Sequence, residues 1–133
     1  MTTPLTIADL SILGAVFAYL APGAIVKIRG RKDFDNSKPR DPAFFADPYR
    51  ARGQWAHQNG IEGFAFFAAA VIVAQMRGAA QPVADALAVA YVLLRAGYVA
   101  AYLGDKPSLR SGVWSLAMAA NIALLLSPLF AKA

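Results

Sequence analysis

The chain reads as an all-α membrane protein, a bundle of four transmembrane helices, and three observations predict it. Of its 133 residues, 58% are hydrophobic and only 16% charged, with a mean hydropathy of +0.45. A soluble domain of this size has no core large enough to hide that apolar excess. The apolar residues also fall into four long runs separated by proline, glycine and charge. Finally, the basic residues are asymmetric: Lys27, Arg29, Arg31, Lys32, Lys38, Arg40, Arg50 and Arg52 crowd the connection between the first two runs. Arg77, Arg95, Lys106, Arg110 and Lys132 are scattered. The net charge of +5 and the pI near 9.8 therefore read as membrane topology. A nucleic-acid partner would need its cations spread over a solvated face, and none is expected.

The first run extends from about Leu5 to Ile28, with Asp9 its one charge before Lys27. At about 1.5 Å per residue it covers roughly 35 Å, enough to span a bilayer with some tilt. No lysine or arginine precedes it, so it is read as a retained helix and not a cleaved leader. Pro22-Gly23 is expected to kink its inner end. The connection from Lys27 to about Pro48 carries Lys38-Pro39-Arg40-Asp41-Pro42 and Asp47-Pro48, which break regular structure and exclude it from hydrocarbon. The second run begins near Tyr49 or Arg52 and ends at Met76-Arg77-Gly78. The third goes from Pro82 or Val83 to Leu103-Gly104, and the fourth from Ser108 to about Phe130. Pro82, Pro107 and Gly104 stand where helix starts and stops belong. With no internal repeat, residues 1–133 form one domain. Positive-inside asymmetry predicts the 27–52 loop in the cytoplasm and both termini outside, with Lys132 a minor opposing charge; a bacterial inner membrane is the expected location.

Chemistry is restricted by what is missing. Zero cysteines exclude disulfides and a protein thiol nucleophile, and a single histidine rules out a multi-histidine metal site within one chain. No metal is expected. The polar residues inside the apolar runs are the candidates. Glu62 lies roughly 22 Å below Arg77, and Arg95 roughly 20 Å below Pro82. Two opposite charges at one depth predict an Arg95–Glu62 salt bridge, since each alone costs about 2.5 to 3.5 kcal/mol on insertion scales. Further polarity follows the same faces. Arg95, Tyr98 and Tyr102 share a stripe of the third helix, and Arg52, Trp55, Asn59 and Glu62 share one on the second. Arg110 begins the fourth helix, where the helix dipole favours an anion. Together they predict a cationic cleft open to the cytoplasmic side, with an interfacial aromatic belt the competing role for the tyrosines. Asn121 is expected to donate a hydrogen bond between helices, and Gly53, Ala56, Gly60 and Gly63 to permit close contact that supports oligomerisation.

Asn59-x-x-Glu62 early in the second helix, Arg95-x-x-Tyr98-x-x-x-Tyr102 in the third, and Leu109-Arg110-Ser111 followed by Trp114 at the fourth resemble the MAPEG family, membrane-associated proteins in eicosanoid and glutathione metabolism. The likeness covers the chain from about Arg50 onward. It implies a homotrimer holding glutathione between neighbouring subunits near the cytoplasmic face. His57, Asn59 and Glu62 would contact the tripeptide, Arg95, Tyr98 and Tyr102 would line its cleft, and Arg110 would activate its thiol. The implied activity is a glutathione-dependent transferase or peroxidase acting on apolar electrophiles or hydroperoxides that enter from lipid. One departure stands out: many members carry a basic residue where this chain has Trp55, with Arg52 one turn earlier. Arg52 is close enough to serve the same ligand, or to snorkel to a lipid headgroup. His57 has two readings, a ligand hydrogen bond or an interfacial position. A noncatalytic scaffold or lipid-binding protein is the alternative function. Transport is weaker still, because inverted repeats are absent.

Overall fold

The computed structural model describes residues 4–131, so Lys132 lies outside the described residues. Four helices form: α1 (Ile7–Arg29), α2 (Pro48–Met76), α3 (Gln81–Leu103) and α4 (Pro107–Leu126). Short 3₁₀ turns, Phe44–Ala46 and Ser127–Phe130, precede α2 and extend α4. All four helices are long and apolar enough to cross a membrane, so the chain is an integral, multi-pass membrane protein. Their starts are written locally. Thr6 and Asp9 make a capping box on α1, and Asp47 caps α2 by accepting from the Arg50 amide at 3.0 Å, with Pro48 in the first turn. That cap starts α2 slightly before the expected Tyr49 or Arg52. Proline also opens α3 and α4, and α1 runs uninterrupted through Pro22.

Helix α2 and helix α3 are central, with α1 packed against both and α4 against both. The main core is built from small residues around Phe67 and Tyr91, whose rings stack at 4.1 Å. Leucines such as Leu93 and Leu116 point outward and form an apolar jacket suited to lipid. The α1–α2 approach depends on glycine. A Cβ at Gly53 would run into the Val26 side chain and the Pro22 carbonyl oxygen, and one at Gly60 into Tyr19. Gly53, Ala56 and Gly60 are thus buried inside one subunit. Their expected service to oligomerisation is corrected: their close contact is between helices of the same chain.

At the end of the bundle opposite the basic loop, three helix ends are tied together. The Asp85 carboxylate accepts from the Ala8 amide at 2.8 Å and from the Gln81 side chain at 2.7 Å. Gln75 donates to Thr6 Oγ1 at 2.5 Å and to Asp9 at 3.4 Å. These groups satisfy amides that the start of α1 would otherwise leave open. At the basic end, Phe34 and Phe44 pack edge to face at 5.2 Å, with Lys27 over one ring and Arg50 over the other. Arg50 also pairs with Asp33 at 2.5 Å, so the loop is folded onto the bundle. Within it, hydrogen bonds from the Ser37 hydroxyl and amide hold the Asp35 carboxyl below the usual carboxylate range.

Asn121 is buried at 1% exposure, and its acceptor atom Oδ1 has no partner among the described residues. It shares its face with Ala117 and Leu124, which pack into a largely apolar core.

Glycine packing yields a paired prediction for thermal unfolding in detergent. Gly60→Ala drives a methyl into the Tyr19 backbone and Cβ, which no rotamer change relieves, and is expected to destabilise by about 1–3 kcal/mol. Gly112→Ala meets no atom within 4 Å and is expected to raise stability by up to about 1 kcal/mol through helix propensity.

Candidate functional site

An arginine buried among transmembrane helices needs acceptors, because its guanidinium has donors only. Arg95, on α3, is 5% exposed and donates from Nη2 to Asn59 Oδ1 on α2 at 3.0 Å. Its guanidinium also lies over the Tyr98 ring at 4.2 Å. Since arginine cannot accept, Asn59 must present its carbonyl oxygen, leaving its NH₂ to other partners. The expected Arg95–Glu62 salt bridge is not formed. Glu62 is exposed. Residues three apart on a helix differ by about 60° in direction. Asn59 falls in the line between α2 and α3, and Glu62 falls beside it.

From Arg95 an aromatic series runs toward the basic end. Tyr98, at 4% exposure, meets Tyr102 edge to face at 5.5 Å, and Tyr102 lies under the Arg110 guanidinium at 4.6 Å. Tyr98 is a buried member of this stack, so the interfacial-belt role does not apply to it. Arg110 is in the first turns of α4, where its amide bonds the Lys106 carbonyl at 2.8 Å. Among the described residues its side chain forms no ion pair.

Asn59, Tyr98, Tyr102 and Arg110 line one open cleft of about 450 Å³, closed on the α4 side by Ser111, Trp114 and Ser115. Helix geometry produces this: positions 110, 111, 114 and 115 share a face of α4, opposite the 98/102 face of α3. The sequence reading did not single out Ser115, although its spacing from Ser111 signals the shared face. Ser115 donates to the Ser111 main-chain carbonyl at 3.0 Å.

The structure places His57 and Arg52 elsewhere. His57 Nδ1 is 2.6 Å from the Tyr19 carbonyl oxygen. A carbonyl only accepts, so Nδ1 carries the proton of this bond. The ring borders a second cleft, about 550 Å³, between α1, α2 and the basic loop, with Lys27, Arg40 and Gln54 around it. Sequence reasoning took those cations for topology alone. Arg52 lies at the basic end with Nη1 3.9 Å from Asp105, and Trp55 stands 52% exposed on α2.

A four-helix membrane bundle with a polar, arginine-bearing cleft toward its basic end defines the class. The sequence pattern of the MAPEG family matches residues 7–130, nearly the whole chain, and the protein belongs to that family. The family is in general one of membrane transferases and peroxidases associated with glutathione. No curated protein and no solved structure matches the chain.

The Arg95–Asn59 bond generates a stability prediction. Asn59→Leu removes the acceptor and leaves a buried guanidinium unpaired, at an expected cost of about 3–5 kcal/mol by analogy with broken buried pairs. Asn59→Asp keeps an acceptor and should retain most of the stability. Thermal unfolding of the detergent-solubilised variants checks both.

Proposed function

We propose that the protein is a glutathione-dependent membrane transferase or peroxidase in which Arg110 stabilises the glutathione thiolate. The observation that supports this most directly is the state of Arg110: its guanidinium borders the cleft, packed on Tyr102 and unpaired with any described carboxylate. A permanent positive charge beside a thiol lowers its pKa, and the thiolate is the nucleophile. The chain has no cysteine, so the thiol is the co-substrate's.

In the transferase reaction the thiol proton leaves, sulfur forms a bond to the electrophilic carbon, and the electron pair passes to the leaving group or the adjacent conjugated acceptor. With a hydroperoxide the thiolate takes the terminal oxygen, the O–O bond breaks and the alkoxide is protonated to an alcohol. A second glutathione then reduces the sulfenic acid, releasing water and the disulfide. Arg110 acts on the thiolate in both. Asn59, Tyr98 and Tyr102 bind the tripeptide, Glu62 pairs with its amine, and the arginines suit its carboxylates. Arg95 holds Asn59 and Tyr98 in place.

Self-assembly into a homotrimer belongs to the same reading. Glu62 is exposed within an apolar helix, and the His57 cleft lies on another face from the Arg110 cleft. A neighbouring copy would cover the first and set its His57 cleft against the second. The basic end faces the cytoplasm by the positive-inside rule, and the apolar co-substrate arrives from lipid. A noncatalytic scaffold or lipid-binding role is the second reading, favoured by Trp55 standing exposed where relatives often carry a cation.

Two measurements decide between them. Glutathione at a hundred times its dissociation constant should stabilise the protein by about 2.7 kcal/mol in a thermal titration, and a scaffold shows no shift. Arg110→Ala should abolish conjugation or peroxide reduction while the assembly stays intact; unchanged turnover removes Arg110 from its role.

A further inference from the structure

The arginines toward the basic end are not equally engaged. Arg50 is 2.5 Å from Asp33, Arg29 donates to the Tyr49 hydroxyl at 2.9 Å, and Arg95 donates to Asn59 at 3.0 Å. Arg52 differs. Its Nε is buried without a partner, and its one ion pair, Nη1 to Asp105 Oδ2, spans 3.9 Å. That is long for a charge-assisted hydrogen bond, and the guanidinium is only loosely set at 5.9 Å from the Tyr49 ring. A largely buried side chain, 21% exposed, thus presents a planar fork of donors with no matching acceptor.

Position gives that fork a use. Arg52 and Asn59 are two turns apart on nearly the same face of α2, about 10 Å along its axis. A tripeptide spans about 10 Å when extended. Asp105 is in the turn joining the two other walls of the cleft: its amide bonds the Tyr102 carbonyl at 3.2 Å, and Arg110 begins the helix that follows. It adopts a left-handed conformation, φ +55°, and its side chain is 70% exposed. Asparagine and aspartate tolerate that conformation better than most residues.

We propose that Asp105 is an internal stand-in for a ligand carboxylate. It holds Arg52 two turns along α2 from the cleft residue Asn59, and a carboxylate-bearing ligand anchored toward Arg110 takes Arg52 over while Asp105 turns to solvent. A long pair with one exposed partner is exchanged at little cost. Arg52 then binds the ligand carboxylate, and Asp105 sets the affinity by competing for it. The inference rests on the glutathione reading and adds to it a competitor within the chain.

Glutathione titration by calorimetry on wild type, Asp105→Asn, Arg52→Gln and the double variant tests it, with KM and kcat measured alongside. Asparagine preserves the left-handed turn and removes only the charge. Asp105→Asn should tighten glutathione binding by about two- to fivefold, the size of an exposed pair, and lower the KM for the thiol. Arg52→Gln should weaken binding by about tenfold or more, and in that background Asp105→Asn should have no effect. If Asp105→Asn binds no better than wild type, or its gain survives in Arg52→Gln, the competitor role is overturned while glutathione binding stands. A wild type that binds no glutathione overturns the parent reading and this one with it.

Discussion

Burying a guanidinium inside a lipid-embedded bundle is the constraint on which this structure turns. Arg95 has nothing to accept with and is 5% exposed, so its surroundings must supply an acceptor and a polarisable face. Asn59 provides the first and Tyr98 the second. Gly60 belongs to the same arrangement: a Cβ there would meet Tyr19 and lie 3.7 Å from Arg95 Nη2. Its missing side chain therefore admits α1 to that side of α2, next to the arginine. The contact places α2 and α3 in fixed register, and Tyr98, Tyr102 and Arg110 follow from that register as a continuous stack leading to the cleft.

The two ends of the bundle use polarity in opposite ways. Opposite the basic loop, Asp85, Gln81, Gln75, Thr6 and Asp9 bond one another and close the start of α1, a network with its donors and acceptors largely spent on structure. At the basic end Arg50 and Arg29 are tied into the loop and the start of α2, whereas Arg52 and Arg110 retain free donors. Of these two, Arg110 borders the open cleft, and Arg52 lies two turns along α2 from the cleft residue Asn59. The polar groups of the network anchor helices; those of the cleft border open space.

Much of the candidate site was legible because helix periodicity converts spacing into direction. Arg95, Tyr98 and Tyr102 had to share a face whatever surrounded them, as did Arg110 and Trp114. Depth counting was less reliable. It matched Arg95 to Glu62 along the membrane normal, but rotation about the helix axis selects the partner, and that gave Asn59. The glycines of α2 carried the same ambiguity. A small residue signals close approach without saying which neighbour approaches, and the neighbour was α1 of the same chain. Asp85 gave no signal beyond being a charge near a helix start, since its partner, the Ala8 amide, is 77 positions away.

The sequence by itself determined four membrane-crossing helices, their breakers, the basic loop and the stripes of polar residues, because each depends on composition or on local periodicity. Only the tertiary structure decided which stripe meets which. It paired Arg95 with Asn59, put His57 on a separate cleft against the Tyr19 carbonyl, and left Arg52 on a long contact with Asp105. The physical reason is rotational: each helix carries its side chains at fixed angles, but its angle relative to its neighbours comes from packing. Here glycines, aromatic stacks and one buried charge set that angle together.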